Sequence, residues 1–144
     1  MTVPNRISIV TLGVADLAAS TAFYESLGWT RSKASMPTIT FFEMQGSMLG
    51  LYEWTALADD AQVPADGSGF RGVALAMNLA SSDEVDTVFA EWLAAGATPK
   101  VHPHTAFWGG YSSYVADLDG HLWELAHNPY ARLDDDGRLV MGAS

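Results

Sequence analysis

The sequence predicts an α+β protein in which one β-α-β-β-β module is used twice, and three observations carry that expectation. A buried-strand pattern, Ile9-Val10-Thr11-Leu12-Gly13-Val14, leads into a helical pattern that stops at Gly28. The same order returns as Val73-Ala74-Leu75-Ala76-Met77-Asn78, followed by a helical pattern that stops at Gly96. Near the end, Asp117-Leu118-Asp119-Gly120-His121 has the form of a hairpin turn between two strands. A repeat of this kind means that two like modules pack together, and it directs the search for a site to their joint surface.

Taken in order, residues 7–14 read as a strand because Ile, Val and Thr dominate and turn-like residues follow. Asp16 is placed to cap a helix whose Leu17, Thr21, Tyr24 and Leu27 share one face, with Gly28 in the left-handed position beyond its end. Residues 29–32 supply the second strand, and 37–44 and 48–53 form a hairpin around Gln45-Gly46-Ser47. Residues 54–72 are rich in small, acidic, Pro and Gly residues, the composition of a linker. The pattern then restarts. Ser81 and Glu84 make a capping-box pair, and Val85, Val88, Phe89 and Trp92 form the apolar stripe of the second helix. Residues 99–104, 111–116 and 122–126 complete the second module. The expected organisation is a first module over 1–54, a linker over 55–72, a second module over 73–128 and a tail over 129–144 that folds back as an arm.

Composition narrows the function. At 144 residues, 49% hydrophobic and 11% aromatic, the chain fits one compact globular unit or two small modules sharing a core. No apolar run approaches the ~20 residues needed to span a bilayer, and the N-terminus lacks a signal-peptide pattern, so a cytoplasmic protein that does not engage membranes is expected. The absence of cysteine excludes disulfides, thiolate metal ligands and cysteine nucleophiles. A formal charge of −10 with only seven Lys and Arg argues against nucleic acid as a partner. The acidic runs, such as Asp134-Asp135-Asp136, read as solvated faces and loops.

The last hairpin points to chemistry. A three-residue loop with Gly120 left-handed pairs Asp117 with His121 and sets Tyr114 opposite Glu124. Alternation then puts Ser112 and Tyr114 on the same face as Leu122, Glu124 and Ala126. A carboxylate on a largely apolar sheet face is costly unless it has a partner. Glu124 is therefore the leading candidate for a site, and for a catalytic residue.

Three segments together resemble the vicinal oxygen chelate superfamily of glyoxalases, bleomycin resistance proteins and extradiol dioxygenases. They are Val10-Thr11-Leu12-Gly13-Val14-Ala15-Asp16-Leu17, the pair of Ala22-Phe23-Tyr24 and Leu27-Gly28, and Ala116-Asp117-Leu118-Asp119-Gly120-His121-Leu122-Trp123-Glu124-Leu125. In the last, Leu118 stands where that family usually has Pro. The resemblance covers nearly the whole chain. It implies a glyoxalase-like fold, two βαβββ modules whose curved mixed sheet surrounds a cup, and a homodimer as the default assembly. It also implies four metal ligands, two per module. Carried over, Glu124 matches the last ligand, while the others fall on Ile9, on Gly50 or Leu51, and on Val73. Those three side chains offer no lone pair, and one carboxylate does not hold a transition metal. No metal or other cofactor is expected, with a divalent metal as the alternative.

Further candidates surround Glu124. Glu124 itself reads either as a group hydrogen-bonded to Tyr114 or backbone, or as an anchor or general base for a ligand. Thr11 matches a cup-facing position of the fosfomycin-resistance branch, although Thr in a strand needs no function. His102 and His104 flank Pro103, and a His-x-His pair on a strand turns both rings to one face, a spacing able to ligate metal. His104 also matches a basic cup residue in the fosfomycin-resistance branch. Trp108 in a Gly-rich loop is a candidate for ligand stacking, and Tyr52 for reaching the cup from the first module. Trp92 and Trp123 belong to the core, and His121 and His127 are structural. The ligand-binding set is thus Thr11, Tyr52, His104, Trp108, Ser112, Tyr114 and Glu124.

Two classes of function follow. One is a binding protein that takes up a small organic molecule, its acidic surface attracting cationic or amphiphilic ones. The other is a lyase, isomerase or dioxygenase of the same superfamily. It would work either without metal through Glu124 and His104 or Tyr114, or with metal held at unexpected positions such as His102 and His104.

Overall fold

The structure, a computed structural model, describes residues 2–142; Met1 and the last two residues of the expected tail, Ala143 and Ser144, lie outside the described residues. The architecture is α+β, with mixed sheets and helices in two units that divide between Ala65 and Asp66.

The first unit contains β1 (Ile9–Val14), α1 (Leu17–Ser26), β2 (Ile39–Glu43), β3 (Met48–Glu53) and α2 (Trp54–Ala61). Its sheet has the order β1-β3-β2, with β1 parallel and β2 antiparallel to β3. Asp16 caps α1 by accepting from the Ala19 N–H at 3.0 Å, and Gly28 follows at φ +93°. The buried face of α1 is Ser20, Thr21, Phe23 and Tyr24, whereas Leu17 and Leu27 are only half-buried. Polar residues can occupy that face because Thr21 shares a buried hydroxyl–hydroxyl bond of 2.8 Å with Thr40 on β2.

Two features of this unit differ from the sequence reading. The strand expected over residues 29–32 is reduced to a single bridge between Arg31 and Phe42. The hydroxyls of Ser32 and Ser35 take the Ala34 and Phe41 N–H groups that a ladder would use, while Trp29 stacks on Tyr24 at 5.5 Å. The stretch read as linker begins with a helix, α2. Glu53 caps it, accepting from Thr55 and from the Ala56 N–H, contacts that hold the Glu53 carboxyl below its usual range. Trp54 and Leu57 of α2 then lie against Gly13, whose missing side chain makes the approach possible.

The second unit contains β4 (Ala74–Asn78), α3 (Ser82–Ala95), β5 (Thr98–Thr105), β6 (Tyr111–Ala116), β7 (Leu122–His127), β8 (Ala131–Leu133) and β9 (Leu139–Met141). Its main sheet has the order β4-β7-β6-β5, with β4 parallel to β7 and the other pairs antiparallel. Here the β-α-β-β-β module is complete. Ser81 caps α3 at the Glu84 N–H, and the Glu84 carboxylate accepts from the N–H of Ala80. Val85, Phe89 and Trp92 of α3 are buried in the same core as Val115, Trp123 and Leu125, with Trp92 and Trp123 5.1 Å apart. The expected arm is a small hairpin, β8-β9, turned at Asp134, whose carboxylate accepts from the N–H groups of Asp136 and Arg138.

Candidate functional site around Glu124

The site is built from the β6–β7 hairpin. Its turn is the one read from the sequence: Gly120 has φ +82°, and the backbones of Asp117 and His121 are paired. The buried Asp117 carboxylate fixes the turn by accepting from the N–H groups of Asp119 and His121, both at 2.9 Å. Register then follows, with Tyr114 opposite Glu124 and Ser112 opposite Ala126. Because Ser113, Val115, Trp123 and Leu125 are turned into the core, Ser112, Tyr114, Leu122, Glu124 and Ala126 occupy the face opposite α3.

On that face the Glu124 carboxylate has two hydroxyl partners. Ser112, only 5% exposed, donates to Glu124 Oε2 at 3.0 Å. Tyr114 is hydrogen-bonded to the same carboxylate. Burial first, then the negative charge of Glu124 and that hydrogen bond, push the Tyr114 phenol above its ordinary pKa. Ala76 of β4 lies beside Glu124, and Val101 of β5, 40% exposed, lies opposite Tyr114. The result is a polar cluster flanked by the apolar side chains of Ala76 and Val101.

His104 joins this face in ladder register with Ser112, and its Nδ1 donates to the carbonyl of His102 at 3.2 Å. His102 does not. The ladder shifts between Val101 and His104, where Pro103 has no N–H to offer, and the His102 ring packs on Phe89 of α3 at 5.3 Å. The expectation that both rings share a face is therefore corrected: the bulge sends them to different neighbours. Trp108 sits in the β5–β6 turn with its indole folded over Gly110, where a side chain at 110 would collide with it. His127 donates to the Leu79 carbonyl, and His121 receives a hydrogen bond from Arg71.

Thr11 and Tyr52 lie in the first unit. Thr11 is in register with Gly50 and Tyr52 with Gly13, on the face opposite α1. A Cβ at Gly50 would stand 3.2 Å from Thr11 Oγ1 and 3.5 Å from the Phe41 ring. Phe41, Val101 and Asp117 were not singled out from the sequence. Strand register within each unit sets Phe41 beside Gly50 and Val101 beside Tyr114, and no local pattern announces either. Asp117, in contrast, was readable as the first residue of its turn.

The metal ligands implied for this fold can be tested against these residues. Gly50 is closed over by Thr11 and Phe41, Leu51 is fully buried on the α1 side, and Val73 precedes β4. Among the described residues no three His, Asp or Glu side chains come together as a group able to hold a metal ion. The residues present do not fit a centre of three or four strong ligands.

The sequence profile of the Glyoxalase/Bleomycin resistance protein/Dioxygenase superfamily matches residues 6–125. The chain belongs to this superfamily. A glyoxalase-related enzyme from Fulvimarina pelagi is 34% identical, with a TM-score of 0.86 over 97% of this chain and 100% of its own. A glyoxalase/bleomycin resistance protein/dioxygenase from Nocardioides is 29% identical, with a TM-score of 0.74 over 88% of this chain and 85% of its own. Lactoylglutathione lyase from Agrobacterium tumefaciens shares the fold at 24% identity and a TM-score of 0.66, over 87% of this chain and 95% of its own. Comparison with curated proteins found no match. Among the described residues of this superfamily member, no helix is long and apolar enough to cross a membrane.

Proposed function

We propose that this superfamily member binds a small organic molecule on the sheet face that carries Glu124, Ser112, Tyr114 and His104, and that it does so without a divalent metal. One observation supports the reading above the others: the Glu124 carboxylate is held by two hydroxyls, and among the described residues no three His, Asp or Glu side chains group together for a metal. A carboxylate has about four lone-pair sites, so two hydroxyl donors orient it and leave acceptor capacity for a ligand. The neighbour Ala76 is small, and half-exposed Val101 offers apolar contact beside it.

The test is a thermal-shift screen of a small-molecule collection against the wild type and Glu124→Leu in metal-free buffer. The proposal expects compounds that raise the wild-type melting temperature and leave Glu124→Leu unmoved. Equal shifts in both proteins would count against it.

A second reading, metal-independent proton transfer, is favoured by the Tyr114 phenol on the Glu124 carboxylate and by the description of the Fulvimarina pelagi relative as an enzyme. Glu124 would accept a proton from an acidic carbon of the ligand while Tyr114 donates to the developing oxyanion. Glu124→Gln separates the readings: under the second, ligand still binds while turnover disappears.

A further inference from the structure

We infer that the ligand group recognised by Glu124 is a cationic nitrogen, an alkylammonium or amidinium carried on a small apolar body. This rests on the small-molecule reading above and names the chemical class that the same face takes. Three observations point to it. First, both partners of the carboxylate are neutral hydroxyl donors, so neither brings a positive charge to it. Second, no Lys or Arg among the described residues forms an ion pair with Glu124. Arg71, in the same unit, is instead bonded to the carbonyls of Gly69 and Asp119 and to His121 in the β6–β7 turn. Third, the surround is apolar, with Leu122, Ala126, Ala76 and Val101 on the same face, so a charge there is screened less than on open surface.

These conditions set what binds well. A half-buried anion without a cation gains most from a donor that carries full positive charge, since charge-assisted hydrogen bonds are roughly twice as strong as neutral ones. An anionic ligand would meet repulsion from Glu124 and from a chain of net charge −10. A neutral alcohol could hydrogen-bond to Glu124 but would leave the charge uncompensated. The apolar body follows from Leu122, Ala76 and Val101, the apolar side chains that share the face with the carboxylate.

The experiment is a titration followed by backbone amide NMR, with EDTA present, using benzylammonium chloride and its neutral counterpart benzyl alcohol. The expected result is that benzylammonium shifts the amides of Ser112, Tyr114 and Glu124, at least tenfold more tightly than benzyl alcohol. The gap should shrink in Glu124→Gln and on raising the salt concentration. Glu124→Gln keeps the shape of the side chain, and its own amide spectrum reports whether it is folded. Equal affinity for the two probes, or shifts confined to other residues, overturns the inference. If neutral compounds from the thermal-shift screen bind this face while benzylammonium does not, the cation preference fails and the small-molecule reading stands. If neither kind binds, both fail.

Discussion

Removing the Ser112 hydroxyl tests the Glu124 cluster at its best-defined contact. Ser112→Ala deletes one oxygen from a 5% exposed strand position and leaves the backbone ladder untouched. Hydrogen bonds to charged groups are worth about 1.5–3 kcal/mol. Glu124 is only half-buried, so water replaces part of the lost donor and the expected cost falls to about 1–2 kcal/mol. At about 2.1 cal/mol/K per residue, a 144-residue chain unfolds with an entropy near 0.3 kcal/mol/K, which makes that cost a drop of about 3–7 °C in melting temperature. The control is Ser113→Ala, which loses a bond of 2.9 Å to the neutral carbonyl of Leu125 and should cost about 1 kcal/mol. A double-mutant cycle sharpens the result. In a Glu124→Leu background the Ser112 hydroxyl has lost its acceptor, so Ser112→Ala should cost little or become favourable, a coupling of about 1–2 kcal/mol. Denaturant unfolding of the four proteins measures it. A coupling below about 0.3 kcal/mol would refute the idea that Ser112 holds the carboxylate.

Three further outcomes follow from the same geometry. The raised Tyr114 pKa means the folded chain holds that proton more tightly than the unfolded chain. Its contribution to stability is therefore full below the ordinary phenol pKa and is lost as pH rises through the higher folded value. Absorbance titration at alkaline pH should show a late-ionising tyrosine that vanishes in Tyr114→Phe, and a titration identical to wild type in that variant would contradict it. Gly110→Ala must evict the Trp108 indole from its seat, so tryptophan emission should shift to the red while the far-ultraviolet dichroism of the fold persists. Asp117→Ala strips two backbone donors of their acceptor and should lower stability by about 2 kcal/mol, read by denaturant unfolding, whereas the exposed Leu118→Ala next to it should cost under about 0.5 kcal/mol.

What could be read from the sequence was what short-range physics decides. Gly120 in the left-handed region and Asp117 at the head of the turn determine the register, and the register alone places Tyr114 against Glu124. Asp16 and Ser81 cap their helices because the cap bond spans three residues. The misses came from competition between local rules. Alternation predicted a shared face for His102 and His104, but Pro103 breaks the ladder between them. Glu53 ends β3 and caps α2 at once, so the acidic and Gly-rich stretch beyond it obscured an eight-residue helix. The strand at 29–32 was lost where the hydroxyls of Ser32 and Ser35 take the N–H groups of Ala34 and Phe41, two and six residues further on. The crowding of Gly50 by Thr11 and Phe41 is a tertiary effect that no window of sequence contains.

The central claim, that the Glu124 face works without a metal, is tested most directly by elemental analysis of the purified chain after incubation with Mn, Fe, Co, Ni and Zn salts and desalting. The account predicts far less than one metal ion per chain, and the same trace in wild type and Glu124→Gln. Close to one ion per chain in the wild type, lost in Glu124→Gln, would contradict it.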